Sequence, residues 1–369
     1  MQVLAACMLH SFFISYSIMA AVIYRRRLLV LSGCLVVSIG ATLFLNWISQ
    51  RANDKPNAFI RSFPPHLAIP ERIVDLRVNS WYFAGATASK VYLANVVAPS
   101  LLIAADTAFR DTARIRLKFP RDAMLVVGPN KVTVDSPFIF LMEGEVPLMM
   151  RGNLSDLTID KEWAGTHFEL CTPVSARGSI VRILDSREQQ HLLAKVFFDS
   201  TAVVRDEHIL EKQQDGIFST DGMLLYDDSS KRIVYVYFYR NQINCLDTSL
   251  NLLYRSRTLD TISHAQVTLG QLNARGDITM AKPPVFVNKQ SCAANGLLFV
   301  RSALKANNEE TSVFRQNSVI DVYWLRDGHY RFSFYLPDFL GNKIRSFRVT
   351  GHRLLAFYDK YLYVYHLNF

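Results

Sequence analysis

From residue 72 onward the chain is a succession of short apolar runs separated by turn residues, and this recurrence limits the fold more than any other feature. In residues 113–119, Arg114, Arg116 and Lys118 alternate with Ile115, Leu117 and Phe119, the period of two of a strand with one wet and one buried face. Residues 329–336 alternate likewise, with Tyr330, Phe332, Phe334 and Leu336 on one side. Residues 232–239 (RIVYVYFY) are apolar throughout, as in a strand covered on both faces. The 24 Phe and 16 Tyr suit pleated sheets, on which aromatic side chains pack well.

Divided at the turns, the runs fall into groups of four. Residues 81–86, 90–96, 100–105 and 113–119 make the first group, and 124–128, 131–134, 138–142 and 146–150 the second. The fourth is 223–227, 232–239, 242–247 and 250–255, and a fifth contains GLLFVRS, VIDVYWL and YRFSFYL. The last supplies only 346–349, 353–358 and 361–367, while residues 72–78 (RIVDLRV) stand unassigned at the other end. Four-stranded blades repeated radially, with the last completed by an N-terminal strand, describe a β-propeller. The expected fold is all-β: a six-bladed β-propeller over 72–369, at about 50 residues per blade. The alternative is two packed all-β domains, a sandwich beside a smaller sheet. The third group is the weakest. Residues 167–173 and 179–185 suggest strands, 186–198 has the Leu192/Leu193/Val196/Phe197 spacing of a helix, and 205–215 suggests a polar loop or short helix.

The N-terminal region has a different character. Residues 28–50 carry no charge and are long enough to cross a bilayer as a helix of about 20 residues, running from Leu28 to Trp47 at an interfacial position. Arg25, Arg26 and Arg27 precede this stretch and mark the cytoplasmic side. The expectation is an inner-membrane anchor with the large domain periplasmic. Residues 1–27 are then either an extra membrane helix or a mis-assigned start ahead of Met19, and 51–71, with Pro64-Pro65, a linker. The Leu31-Ser32-Gly33-Cys34 stretch resembles a lipoprotein processing box, but only residues 28–30 separate it from the arginines, shorter than a secretory apolar region requires.

Charge and cysteine content narrow the function classes. Of 41 Lys+Arg and 32 Asp+Glu, six basic residues and only Asp54 fall in 1–61, so the rest of the chain is nearly balanced and no nucleic acid is expected as a partner. Beyond the apolar segments only Cys171, Cys245 and Cys292 remain, enough for one disulfide at most.

The tyrosine-rich run 234–239, the turn at Arg240-Asn241, the short run ending in Asp247 and the turn into LNLLY together resemble blades of six-bladed NHL and YWTD-type propellers. DGIFSTDG (215–222), VYVYFYRNQ (234–242), RSRTLDT (255–261) and IDVYWL (320–325) are similar to membrane-anchored propeller-like proteins of Bacteroidota. That resemblance implies an extracytoplasmic propeller and names no catalytic residue. It also implies O-glycosylation at the second residue of Asp-(Ser/Thr)-(aliphatic, Ala, Met or Thr) sites, here Thr107, Thr112, Ser200 and Thr261.

No GxGxxG, P-loop, HExxH or GxSxG motif occurs. His167, His264 and His352 could meet only if the fold gathered them. A propeller hydrolase or oxidoreductase would set carboxylates and Asn around its axis, for which Asp215, Asp221, Asp227, Asp228, Asn241 and Asn307 are the candidates. The Asp-Gly pairs and Asp227-Asp228 equally suit plain turns. Asp215, Asp221, Arg240, Asn241, Lys305 and Asn307 are expected on loops of a binding face. The expected function is a membrane-tethered, non-catalytic binding or scaffolding module with a protein partner at the membrane and no cofactor. The alternative is an enzyme with its site in the central channel.

Overall fold

The computed structural model describes residues 25, 27–46, 48, 57–119, 131–144, 146–198, 200–206, 208–271 and 278–369. The chain divides into two units, Met1–Pro56 and Asn57–Phe369. In the first, helix α1 (Arg27–Asn46) is long and apolar enough to cross a membrane, a property shared by secretion signals and anchors. Leu28 lies exposed along it. Trp47 lies outside the described residues, as do residues 1–24.

The second unit is built from antiparallel quartets in chain order. The first holds β2 (Trp81–Ala86), β3 (Lys90–Asn95), β4 (Leu101–Asp106) and β5 (Thr112–Arg116). The second holds β6 (Lys131–Asp135), β7 (Phe138–Glu143), β8 (Leu148–Asn153) and β9 (Thr158–Ala164). Next come β10 (Leu170–Pro173), β11 (Gly178–Asp185), β12 (Gln190–Phe197) and β13 (Ser200–Asp206). The fourth is β14 (Gly222–Asp227), β15 (Arg232–Tyr237), β16 (Gln242–Leu246) and β17 (Leu252–Arg257), followed by a hairpin of β18 (Leu269–Gln271) and β19 (Ile278–Met280). The fifth is β20 (Asn288–Ala294), β21 (Leu297–Ser302), β22 (Asn317–Trp324) and β23 (Tyr330–Pro337), with helix α2 (Thr311–Gln316) inserted before β22. The sixth contains β24 (Ser346–Thr350), β25 (Arg353–Tyr358) and β26 (Tyr361–Leu367), and its fourth strand is β1 (Ala68–Asp75), from the start of the unit. β1 runs antiparallel to β26, with Ile73 opposite Tyr363 and Val74 opposite Leu362.

Each quartet is apolar on both faces, so each must be covered twice, and the cores show how. Leu102 and Ala104 of the first quartet pack with Val132 and Ile139 of the second. Phe140 and Met149 then meet Val181 and Leu192, and Ile180 and Leu193 meet Ile233 and Tyr235. Val234 and Ile243 meet Leu298 and Tyr323, and Phe299 and Ile320 meet Phe347 and Leu354. Finally Leu355, Phe357 and Val364 of the sixth quartet pack against Leu93 and Val91 of the first. The succession of shared cores thus returns to its beginning. The first two quartets come so close that β2 and β6 form a parallel pair at Gly85 and Val134. A Cβ on Gly85 would stand 1.9 Å from the Val134 carbonyl oxygen, so only glycine fits there.

Several sequence expectations are corrected. The helical spacing at 186–198 belongs to strand β12, where Leu192 and Ala194 enter one core and Leu193 the opposite one. A strand covered on both faces carries no alternation and mimics a helix. In the second quartet the strands are displaced: 124–128 lies outside the described residues, and the fourth strand is β9, which the sequence grouping did not include. The closing strand is Ala68–Asp75, not 72–78, and Ile73 is half exposed on the outer edge while Val74 and Leu76 join the core. Residues 57–71, expected in a linker, belong to the compact unit. There Phe59 and Arg61 are buried, and the Arg61 guanidinium grips Asp321 through Nε at 2.7 Å and Nη2 at 3.0 Å, with Glu309 on Nη1.

Candidate functional site

The first strand of every quartet lines one cavity of about 280 Å³, to which β2 contributes Gly85, β6 Lys131, β10 Cys171, β14 Tyr226, β20 Cys292 and β24 Arg348. Alternation explains which side chains turn toward it. In β6, Val132 and Val134 are fully buried between quartets, which leaves Lys131, Thr133 and Asp135 facing inward. In β24, Phe347 and Val349 are buried in the core on either side of Arg348. A second, wider cavity of about 1190 Å³ shares Lys131, Cys171 and Leu224 with the first. It is lined by the segments between strands, including Glu143, His167, Glu169, Asp185, Arg187 and Arg205.

The inner cavity carries opposite charges at its two ends. Lys131 opens β6 and Asp135 ends it, so about 13 Å of strand separates them. Burial and the neighbouring Arg348 hold the Lys131 ammonium below the usual lysine range. Burial and the nearby Asp228 push the Asp135 carboxyl upward. Burial pushes the Cys171 thiol up to about 12, against the opposing pull of Ser179 and Lys131. At neutral pH Cys171 is a protonated thiol and a poor nucleophile. Among the described residues, no three His, Cys, Asp or Glu side chains come together as a metal site.

At the edge of the wide cavity lies a polar network. The buried Arg182 binds Glu169 at 2.5 Å, Asp221 at 2.6 Å and the Tyr235 hydroxyl at 2.9 Å. His191 stands between Glu169 and Thr220, with Nε2 3.2 Å from the Glu169 Oε1 and Nδ1 3.0 Å from the Thr220 hydroxyl. Burial works to raise the Glu169 carboxyl, but the hydrogen bond from His191 and the charge of Arg182 hold it down to about 2. The Glu–His–Thr order has the outline of a nucleophile triad. However, Thr220 is fully buried and donates its proton to the Gly216 carbonyl at 2.6 Å, so the network fastens the third quartet to the segment before β14.

The residues singled out from the sequence are dispersed. Of the axial candidates only Asp228 reaches the cavity, where Lys231 pairs with it at 2.5 Å. Asp215 accepts amide protons from Ile217 and Ser219 in its own turn, and Asp227 ties Ser229, Ser230 and the Gly296 amide. Asp221 is the partner of Arg182. Arg240 and Asn241 are not on an exposed loop: Arg240 is fully buried and donates to the Glu211 and Ser219 carbonyls, while Asn241 is buried and donates to the Asp260 carbonyl. Segments 211–219 and 258–262 close over that turn. Lys305 is half-buried with Nζ on Thr311, and the exposed Asn307 accepts from the Asn57 amide. The chain's own N-terminal strap therefore occupies that loop. His167 lines the wide cavity, whereas His264 and His352 are exposed elsewhere. Thr112, Ser200 and Thr261 are exposed, and Thr107 is half-buried beside Arg353. Lys131, Asp135 and Arg348 were not identified from the sequence.

Comparison with solved structures agrees on architecture. A member of the DUF4221 family from Bacteroides vulgatus matches with a TM-score of 0.52 at 13% identity, over 85% of this chain and 99% of that one. The fold is that of a β-propeller. An inactive variant of virginiamycin B lyase from Staphylococcus aureus, solved with quinupristin, matches with a TM-score of 0.45 at 12% identity, over 80% of this chain and 98% of that one. No protein-family model and no curated sequence matches the chain. In a propeller, four-stranded antiparallel sheets of this kind are the blades, arranged around a central axis.

Proposed function

We propose that this chain is a membrane-tethered, extracytoplasmic six-bladed propeller that acts as a non-catalytic binding module, with its ligand held on the axis. The observation that carries the reading is the pair of joined cavities, polar and open, at the place where every blade contributes a side chain. A rigid ring around such a space recognises a ligand without moving groups for chemistry. The protonated Cys171 thiol and the buried Thr220 hydroxyl favour recognition over covalent catalysis. Six shared cores and the completion of the last blade by β1 support the blade count. The Arg25–Arg27 cluster at the start of α1 supports an outward-facing propeller, beside membrane proteins that could serve as its partners.

The test has two parts. Protease added to intact spheroplasts should digest the propeller; digestion only after lysis of the inner membrane would overturn the orientation. Full-length protein taken from its own membranes in detergent should retain a small molecule in native mass spectrometry. Leu224→Trp, which fills the junction of the two cavities, should abolish that retention. A molecule retained equally by the variant, or none in the wild type, would contradict an axial site.

A further inference from the structure

Lys131 and Arg348 line the same confined space, one from the second blade and one from the sixth. Neither has an anionic partner among the described residues. Arg348 Nη1 donates to the backbone carbonyls of Phe347 at 3.0 Å and Ser291 at 3.4 Å, and forms no ion pair. Lys131 makes neither a hydrogen bond nor an ion pair with any described residue, and its exposed side chain lines the cavity beside a guanidinium. Two like charges that face one cavity repel, and an anion seated between them relieves that repulsion.

Among the described residues, Glu143, which lines the wide cavity with Lys131, is buried with an interaction of its own, and the other nearby carboxylates are engaged or distant. Asp135 lies at the far end of β6, and Asp228 is tied to Lys231. At the mouth, Glu169 is clasped by Arg182 and His191, and Asp185 accepts the amides of Arg187 and Glu188 in its own turn. The unbalanced positive charge is therefore local to the Lys131 end of the axis.

We infer that Lys131 and Arg348 form an oxyanion site on the propeller axis that takes a small ligand through its carboxylate or phosphate group. A planar guanidinium fork and a mobile ammonium together match the oxygens of either group. The wide cavity accepts the body of the ligand, and the inner cavity its charged end. The inference deepens the proposed binding module and rests on that reading of the axis.

Full-length protein in detergent is titrated by calorimetry with inorganic phosphate and with succinate, against chloride at constant ionic strength. At least one of the two anions binds at one site. Lys131→Met and Arg348→Met each weaken that binding at least about tenfold, the loss expected for one charge-assisted contact. Lys131→Arg retains most of it. Without anion, Lys131→Met also raises the melting temperature slightly, because it removes one of two like charges that face the same cavity. A lysine that merely packed the wall would produce a fall instead. Undiminished binding in the Lys131→Met/Arg348→Met double variant overturns the inference. So does failure of both anions to bind the wild type. If that failure accompanies retention of an uncharged molecule that Leu224→Trp abolishes, the inference falls and the binding module stands.

Discussion

The strap formed by residues 57–63 is held to the fifth blade by Arg61, and its replacement by methionine gives a defined test of how much that grip contributes. The Arg61 and Glu309 side chains are 0% exposed and that of Asp321 only 3%. Burial works to lower the guanidinium pKa, but Asp321 and then Glu309 carry it above the usual arginine value, so the cation is firmly held. Each carboxylate has a further donor: Ser333 gives its hydroxyl proton to Asp321 at 2.5 Å, and Tyr335 gives its own to Glu309 at 2.6 Å. Arg61→Met keeps much of the volume but strands two buried negative charges. Breaking a buried pair in this way costs about 3–5 kcal/mol, a large part of the about 5–15 kcal/mol that stabilises a typical domain. At roughly 2 °C per kcal/mol for a chain of this size, the melting temperature falls by about 6–10 °C. Thermal unfolding of full-length protein in detergent, followed by circular dichroism, measures this directly. The deficit comes from the two stranded carboxylates. Adding Asp321→Asn and Glu309→Gln recovers much of it. A shift under about 2 °C, or no recovery in the triple variant, would refute the reasoning.

Gly85→Ala forces a Cβ to within 1.9 Å of the Val134 carbonyl and must separate the first two blades, with a loss of about 3 kcal/mol or more in urea unfolding; near wild-type stability would show that β2 and β6 do not meet. The raised Asp135 pKa means that the fold favours its protonated form, so stability falls as pH rises through and beyond the ordinary carboxylate range. Asp135→Asn removes that fall and raises the melting temperature at pH 7; an unchanged or lowered value contradicts the placement. Glu169 has the opposite sign: with its carboxyl held at about 2 against an ordinary 4.5, its contribution is complete above about pH 4.5 and lost as pH falls toward 2. Because that side chain is 43% exposed, the effect is modest, and it appears as a shallower acid slope for Glu169→Gln in urea midpoints.

The blades were legible where strands alternate or carry dense tyrosine, as in 113–119 and 232–239, because those patterns follow from the period of a strand against its neighbours. β12 was not, since Leu192, Leu193 and Ala194 serve two cores at once and lose the period. The axial site was hidden for a related reason. Lys131, Thr133 and Asp135 sit on the wet face of an alternating strand, and the sequence does not distinguish a face turned to an axis from one turned to bulk water. Asp228 was found only because turn chemistry and axial chemistry use the same residue type. Arg240 and Asn241 sit at a hairpin turn, ordinarily exposed, and are covered by segment 211–219 before β14 and the insertion after β17. Arg61 is a single arginine in a proline-flanked stretch, and its partners lie more than 240 residues away.

The account depends most on a ring closed by β1, because the axial cavity exists only if the sixth blade meets the first. Cysteines placed at Ile73 and Tyr363 test this: Ile73 is half exposed, and Tyr363 is partly buried at the edge of the core shared by the fifth and sixth quartets. The two are Cα partners across β1 and β26, within the separation of about 7 Å that a disulfide permits. Oxidation of Ile73→Cys/Tyr363→Cys, with peptide mapping by mass spectrometry, should give a disulfide joining residues 73 and 363 within one chain. Absence of that bond, with ready crosslinking of 73 to cysteines placed along β3 or β4 instead, would contradict the closed ring and favour two separate β domains.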